Sequence, residues 1–182
     1  MERRRLVALV AALGIIAGAL LGEPAVLYKE KINYKLPGGA GFSPHQDAPA
    51  YPLIHTHVSA MVAIDDADES NGGLEVVSHR FDELLPLDER GCIEAAVAES
   101  FEWTPAPVRA GQTLWFHSRT PHRSGPNRSD RPRRALYPTY NAASEGDLRS
   151  AYYDAKRRAF ATTAAADRAR VSLIGDFEGR PV

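Results

Sequence analysis

The pattern of apolar and polar positions marks five stretches as strands. The longest, "AVLYKEKINYKL" (25–36), puts Lys29, Lys31, Asn33 and Lys35 on one face and Tyr28, Ile32, Tyr34 and Leu36 on the other. "HVSAMVAI" (57–64), "LEVVS" (74–78), "QTLWFH" (112–117) and "RRALYPTYN" (133–141) follow, rich in β-branched and aromatic residues. Pro138 predicts an edge position or a bulge for the last of them. Between the second and third strands, "DDADESNGG" (65–73) carries turn chemistry, with Asn71-Gly72 as its signal. Ahead of the first strand, an apolar run over 6–20 leads into Gly22 and Pro24, which predicts a helix packed on the outside of the sheets. Residues 147–170 predict another helix. Strands separated by turns, with no βαβ alternation, argue for an antiparallel sandwich or barrel of jelly-roll type with flanking helices. One domain is expected over 1–182: an apolar helix or signal-like segment (1–21), a barrel (22–145) and a C-terminal helical region (146–182).

Composition narrows the classes. The chain has 182 residues, 44% hydrophobic and 25% charged, with a formal net charge of −1, so no overall basic field draws it to nucleic acid. The single cysteine, Cys92, rules out an intrachain disulfide and a thiolate metal cage. That suits a reducing cytoplasm. The start, "MERRRLVALVAALGIIAGALLG", has the alternative form of an export signal, which would remove residues 1–19 and place the protein outside the cytoplasm. The retained helix is favoured because strand-like sequence begins almost at once, at Ala25. The run is short for a membrane span and contains Gly14 and Gly18, so no membrane association is expected. Its apolar residues fall nearly all round the helix, and an uncovered face would favour a homo-oligomer.

Candidate chemistry centres on "SPHQDAPAY" (43–51). His45 and Asp47 stand two apart, so in an extended segment both side chains point to one face. Imidazole plus carboxylate without thiol suits Fe(II), Mn or Zn, and two histidines with one carboxylate leave three metal positions open. The third ligand is expected from a distant strand. His122, just past the fourth strand, is the best placed of the other histidines, ahead of His117. Eleven residues beyond it stands Arg133, which a strand would place on the same face as Ala135 and opposite Arg134. A guanidinium there can grip a carboxylate in a two-pronged fork. Arg128, Arg131 and Arg134 read as an exposed basic turn.

Three segments together, "KINYKLPGGAGFSPHQD", "SNGGLEVVSH" and "GQTLWFHSRTPHRSGPNRSDRPRRALYPTYN", closely resemble the phytanoyl-CoA dioxygenase family over roughly residues 22–160. The resemblance implies a double-stranded β-helix of jelly-roll or cupin-like form and an Fe(II)- and 2-oxoglutarate-dependent dioxygenase that uses O2 to hydroxylate a C–H bond. It implies that His45, Asp47 and His122 bind iron and are catalytic. It also implies that Arg133 and Ser124 contact 2-oxoglutarate, with Lys31 and Met61 lining that pocket. The C-terminal portion is similar to members that hydroxylate small organophosphonates such as 2-aminoethylphosphonate. A small anionic substrate also fits the row Lys29, Lys31 and Lys35, provided that face lines the barrel; an exposed lysine-rich edge strand is the other reading. The chain departs from the family in having only about 22 residues before the first strand, where members carry a longer helical region. A trimmed, non-catalytic jelly roll that binds a ligand or partner is therefore the alternative function.

For the remaining residues the structural readings lead. His55 and His57 are expected at a strand entrance, His79 at the surface, and Trp115 and Phe116 in the core. Gly38, Gly39 and Gly41 precede no helix and so serve a close backbone approach and not phosphate binding.

Overall fold

A computed structural model describes residues 2–80 and 82–162. Among the described residues, eight strands form two four-stranded antiparallel sheets. The first has the order β1-β8-β3-β6 and the second β2-β7-β4-β5. The long strands β1 (Ala25–Lys35), β3 (His57–Ala63), β6 (Thr113–His117) and β8 (Arg133–Ala142) build the first sheet and match four of the expected strands within one or two residues. The second sheet is made of short pieces: β2 (Phe42–His45), β4 (Leu74–Val76), β5 (Thr104–Ala106) and β7 (His122–Ser124). Of these only β4 stands out in the sequence pattern. Two stacked sheets joined in this order make the jelly roll.

β3 is buried at every position, and each face has its own reason. Val58, Ala60 and Val62 pack beneath helix α1 (Glu2–Leu21), against Leu13 and Ala17. Met61 turns the other way, into the space between the sheets, with Leu74, Phe116, Ala135 and Tyr137. The expected N-terminal helix is present and lies on the outside of the first sheet. Its far side leaves Ile15, Ile16 and Leu20 exposed. Among the described residues no helix is long and apolar enough to cross a membrane. A short helix α2 (Ala95–Glu99) precedes β5, and the C-terminal helix α3 spans Arg149–Thr162; residues 163–170 of the expected 147–170 helix lie outside the described residues.

Two expectations about strand faces need correction. Pro138 does not mark an edge, because β8 lies between β1 and β3. The β3–β8 pairing passes over it, from Ser59–Thr139 to Val62–Leu136, so its missing N–H costs the ladder little. The irregularity sits on β1 instead. Its register against β8 shifts between Leu27 (opposite Tyr140) and Lys29 (opposite Thr139), which leaves Tyr28 as the extra residue of a bulge. Tyr28 consequently turns inward, fully buried against Tyr51 and Ile54, and does not share the outer face of Ile32, Tyr34 and Leu36. From Lys29 onward the parity holds as expected.

Candidate metal centre and its anion sites

His45 ends β2 and His122 begins β7, and the two are direct partners across the antiparallel pair. Both histidines follow a proline, in Ser43-Pro44-His45 and Thr120-Pro121-His122. Proline holds the residue before it extended, so each histidine meets the carbonyl two residues upstream. His45 Nδ1 lies 2.7 Å from the Ser43 oxygen, and His122 Nδ1 lies 2.9 Å from the Thr120 oxygen. With the proton on Nδ1, each ring donates to its carbonyl and presents a bare Nε2. Asp47 completes the group: one ligand atom from each of His45, Asp47 and His122 lies within 4.8 Å of the others. His117 lies outside this group and accepts the Arg119 N–H at 3.2 Å through Nδ1.

The electrostatics favour the metal-ready protonation states. Burial, then the neighbouring His122, lowers His45 to about 3, so its ring is neutral near pH 7. Burial alone would raise the Asp47 carboxyl. His122, Lys29, His45 and His57 together outweigh it and hold the group below the usual carboxylate range. Gln46, between the two candidate ligands, points away and anchors the segment. Its amide donates to the Glu83 and Arg119 carbonyls at 2.9 and 2.5 Å and accepts the Leu85 N–H at 2.9 Å. All-nitrogen-and-oxygen donors on a buried, braced frame fit a divalent first-row metal such as Fe(II).

On one side of this centre lies a pocket with excess positive charge. Arg133 is buried, 1% exposed, and its Nη2 donates to the Gly72 carbonyl at 2.8 Å. Its Nε and Nη1 have no partner. Lys35 sits directly opposite it on β1. The Lys35 ammonium donates to Ser124 Oγ at 2.8 Å, to the Gly125 carbonyl at 2.6 Å and to the Gly72 carbonyl at 3.3 Å. Like charges placed opposite each other on a sheet repel. Burial, then Arg133, lowers Lys35 to about 7. Two buried cations with no carboxylate between them, and with free donors on Arg133, are a fit for a bound carboxylate of a dianion such as 2-oxoglutarate. By contrast Arg134 faces outward onto Asp65 at 2.8 Å, as strand parity requires, and Arg128 and Arg131 are exposed.

Backbone chemistry builds this pocket. Gly72 has φ of +76°, and a Cβ there would meet the Gly125 oxygen at 2.4 Å and the Lys35 ammonium at 2.7 Å. The Asn-Gly turn legible in the sequence therefore also aims a carbonyl at both cations. Gly41 likewise allows close approach, since a Cβ would lie 2.4 Å from the Ser124 oxygen. Asn127, fully buried, ties the two loops together by donating to the Lys35 and Arg131 carbonyls at 2.8 and 2.7 Å.

Of the other residues singled out, Ser124 reaches the pocket through Lys35 and Met61 lines the inter-sheet core. Lys31 stands on the inner face of β1, accessible, with its ammonium 5.6 Å from the centre of the Tyr137 ring. Phe116 packs on His122 at 4.9 Å, whereas Trp115 faces α1 and Tyr140. His79 and His55 are exposed. His57 stands at the entrance of β3, as expected; it is fully buried there, and neither ring nitrogen has a partner.

The phytanoyl-CoA dioxygenase family model matches residues 7–135, most of the chain. The chain belongs to the phytanoyl-CoA dioxygenase family. Among curated relatives, the methylphosphonate hydroxylase of Gimesia maris is 50% identical over 168 residues, covering 91% of this chain and 65% of that protein. A 2-aminoethylphosphonate dioxygenase of an uncultured bacterium is 44% identical over 145 residues, covering 78% of this chain and 55% of that protein. The chain thus spans less than two thirds of the length of either relative. Among solved structures, the epimerase SnoN in complex with Fe3+, alpha ketoglutarate and nogalamycin RO superposes with a TM-score of 0.64 at 25% identity. That match covers 79% of this chain and 60% of SnoN. EvdO2 of Micromonospora carbonacea complexed with 2-oxoglutarate gives 0.62 at 26% identity, covering 73% and 59%. This member of the family keeps the jelly roll of its structural neighbours.

Burial of Lys35 and Lys29 without a counter-anion has a measurable consequence. Both are lowered to about 7, Lys29 chiefly by burial and then by Lys31. In the unfolded chain they stay protonated to about 10.4. Between pH 7 and 10 the unfolded state therefore binds more protons, and stability rises with pH. Thermal melts of the ligand-free protein should show a higher Tm at pH 9.5 than at pH 7. The double substitution Lys29→Met, Lys35→Met should flatten that trend.

Proposed function

We propose that the chain carries the catalytic core of an Fe(II)- and 2-oxoglutarate-dependent dioxygenase that hydroxylates a C–H bond of a small phosphonate. The observation that carries this reading is the His45–Asp47–His122 group, two buried imidazoles and a half-buried carboxylate, together with Arg133, whose Nε and Nη1 have no hydrogen-bond partner. His45, Asp47 and His122 hold Fe(II) through Nε2, a carboxylate oxygen and Nε2. Fe(II) bound with 2-oxoglutarate and O2 supplies the oxidising power for an unactivated C–H bond. Arg133 grips the far carboxylate of 2-oxoglutarate, with Lys35 and Ser124 completing the anion site. The carbonyls of Ser43 and Thr120 hold the imidazoles in the ligating tautomer. Met61, Phe116 and Tyr137 exclude water from the space between the sheets. The names of the Gimesia and uncultured-bacterium relatives support a phosphonate as substrate class.

Anaerobic titration with Fe(II) and 2-oxoglutarate tests the reading. A visible charge-transfer band should appear only when both are present. Admitting O2 with methylphosphonate should then give succinate and a hydroxylated phosphonate, seen by 31P NMR. A protein that forms no such band is a ligand- or partner-binding jelly roll and not this enzyme.

A further inference from the structure

A second cationic group lies on β1, six residues before Lys35. Lys29 is buried at the bulge of β1 and points inward. Among the described residues its ammonium has no ion pair or hydrogen bond; it rests 4.7 Å from the centre of the Tyr51 ring. Lys156 approaches from α3, with its ammonium 3.2 Å from the Tyr152 hydroxyl. Lys29 feels the charge of Lys31, Asp47 and Lys156. Tyr51 packs on His57 with ring centres 5.1 Å apart, and Tyr28 packs on Tyr152 at 4.9 Å. The Tyr28 hydroxyl and both His57 ring nitrogens are buried without a partner.

Lys29, the Tyr28 hydroxyl and the His57 ring are thus buried without a hydrogen-bond partner, and the half-buried Lys156 and exposed Lys31 add positive charge. Such groups cost free energy unless a ligand meets them. The ligand must be an anion rich in acceptor oxygens. It cannot be the dianion held at Arg133. Lys29 pairs with Thr139 and Lys35 pairs with Arg133, six residues apart along β8, or roughly 20 Å of strand. A five-carbon diacid does not reach both ends, so the two cationic sites take two different anions.

The helix that brings Lys156 is held in place for this. Tyr152 and Lys156 lie one turn apart on one face of α3, and Arg149 and Tyr153 lie one turn apart on another. Arg149 pairs with the Glu30 carboxylate. The Tyr153 hydroxyl donates to the Glu30 carbonyl at 3.1 Å and accepts the Glu30 N–H at 3.3 Å. Residue 30 follows Lys29, so one set of contacts fixes both the bulge and the helix above it.

We infer that Lys29 and Lys156, with Lys31, His57 and Tyr28, form the subsite that holds the phosphonate group of the substrate, and that α3 sets substrate choice. This rests on the dioxygenase reading above and assigns its substrate end. The phosphonate oxygens accept from the two ammonium groups, which would hold the adjoining carbon near Asp47, whose charge Lys29 feels. The lysines are specificity residues; they hold the substrate and take no part in oxidation.

The test is calorimetric titration of methylphosphonate into the anaerobic full chain with Fe(II) and 2-oxoglutarate, with the charge-transfer band recorded on the same sample. Lys29→Met and Lys156→Met preserve length and packing while removing charge. Each should weaken methylphosphonate binding at least tenfold, and Lys29→Arg should restore part of it, while the band and the 2-oxoglutarate affinity stay as in the parent protein. Two results overturn the inference: methylphosphonate fails to bind the parent protein, or both Met variants bind it as the parent does. Loss of 2-oxoglutarate affinity in step with methylphosphonate affinity also overturns it, since the lysines would then serve the cosubstrate. If the band never forms but lysine-dependent methylphosphonate binding persists, the dioxygenase reading falls and the anion subsite stands.

Discussion

Replacing His45, Asp47 or His122 by alanine is expected to abolish iron-dependent turnover, with iron affinity falling by at least about 100-fold. That exceeds the ten- to hundredfold loss typical of removing a mere outer partner of a metal ligand. Each residue supplies one of only three atoms in the group, and no fourth His, Cys, Asp or Glu joins it among the described residues. Asp47→Ala carries a further penalty. It removes the carboxylate whose field Lys29, Lys31 and both candidate ligand histidines share. His117→Ala should leave iron content unchanged, because His117 lies outside the group and already accepts a backbone N–H from Arg119. Metal analysis after anaerobic dialysis, with succinate release as the activity measure, separates these outcomes. Loss of iron in His117→Ala with retention in His122→Ala would reverse the assignment of the third ligand.

Arg133→Ala is expected to raise the 2-oxoglutarate concentration needed for half-maximal activity by about 30-fold or more. Truncating one partner of a buried charge pair costs about 2–5 kcal/mol, much of it from leaving the other charge unpaired. At about 1.4 kcal/mol per tenfold, the lower bound sets the expected change. Arg133→Lys should recover only part, since an ammonium cannot reproduce the two-pronged contact. Arg128→Ala and Arg131→Ala should behave as the parent protein, because both side chains are exposed. Titrating 2-oxoglutarate against the charge-transfer band measures affinity directly. Equal losses in all three alanine variants would mean a diffuse basic surface and no specific fork.

Much of the site was legible because its signals are local. The two-residue spacing of His45 and Asp47 and the alternation of Arg133 with Arg134 both follow from strand geometry, and β8 keeps that alternation without a break. The repeated Ser/Thr-Pro-His segments were equally available. In each, the imidazole meets the carbonyl two residues upstream, Ser43 for His45 and Thr120 for His122. The short strands of the second sheet were a different matter. β2, β5 and β7 hold three or four residues each, too few for a period of two to rise above chance. They exist as strands because neighbours supply the hydrogen bonds.

The sequence by itself determined the fold class, the outer helix, the chemistry of the candidate ligands and the face that Arg133 occupies. Each of these depends on residue type and on spacing within a single element. Tertiary structure alone decided that Lys35 stands against Arg133 while Lys29, on the same row, stands against Thr139 and feels the charge of Lys156. It also decided that the bulge at Tyr28 takes this tyrosine off the face of Ile32, Tyr34 and Leu36 and into the core, and that His57 is sealed without a partner. The physical reason is register. Which residues of β1 and β8 face one another, and where one extra residue is absorbed, depends on pairing between segments more than a hundred positions apart, and no local pattern encodes that.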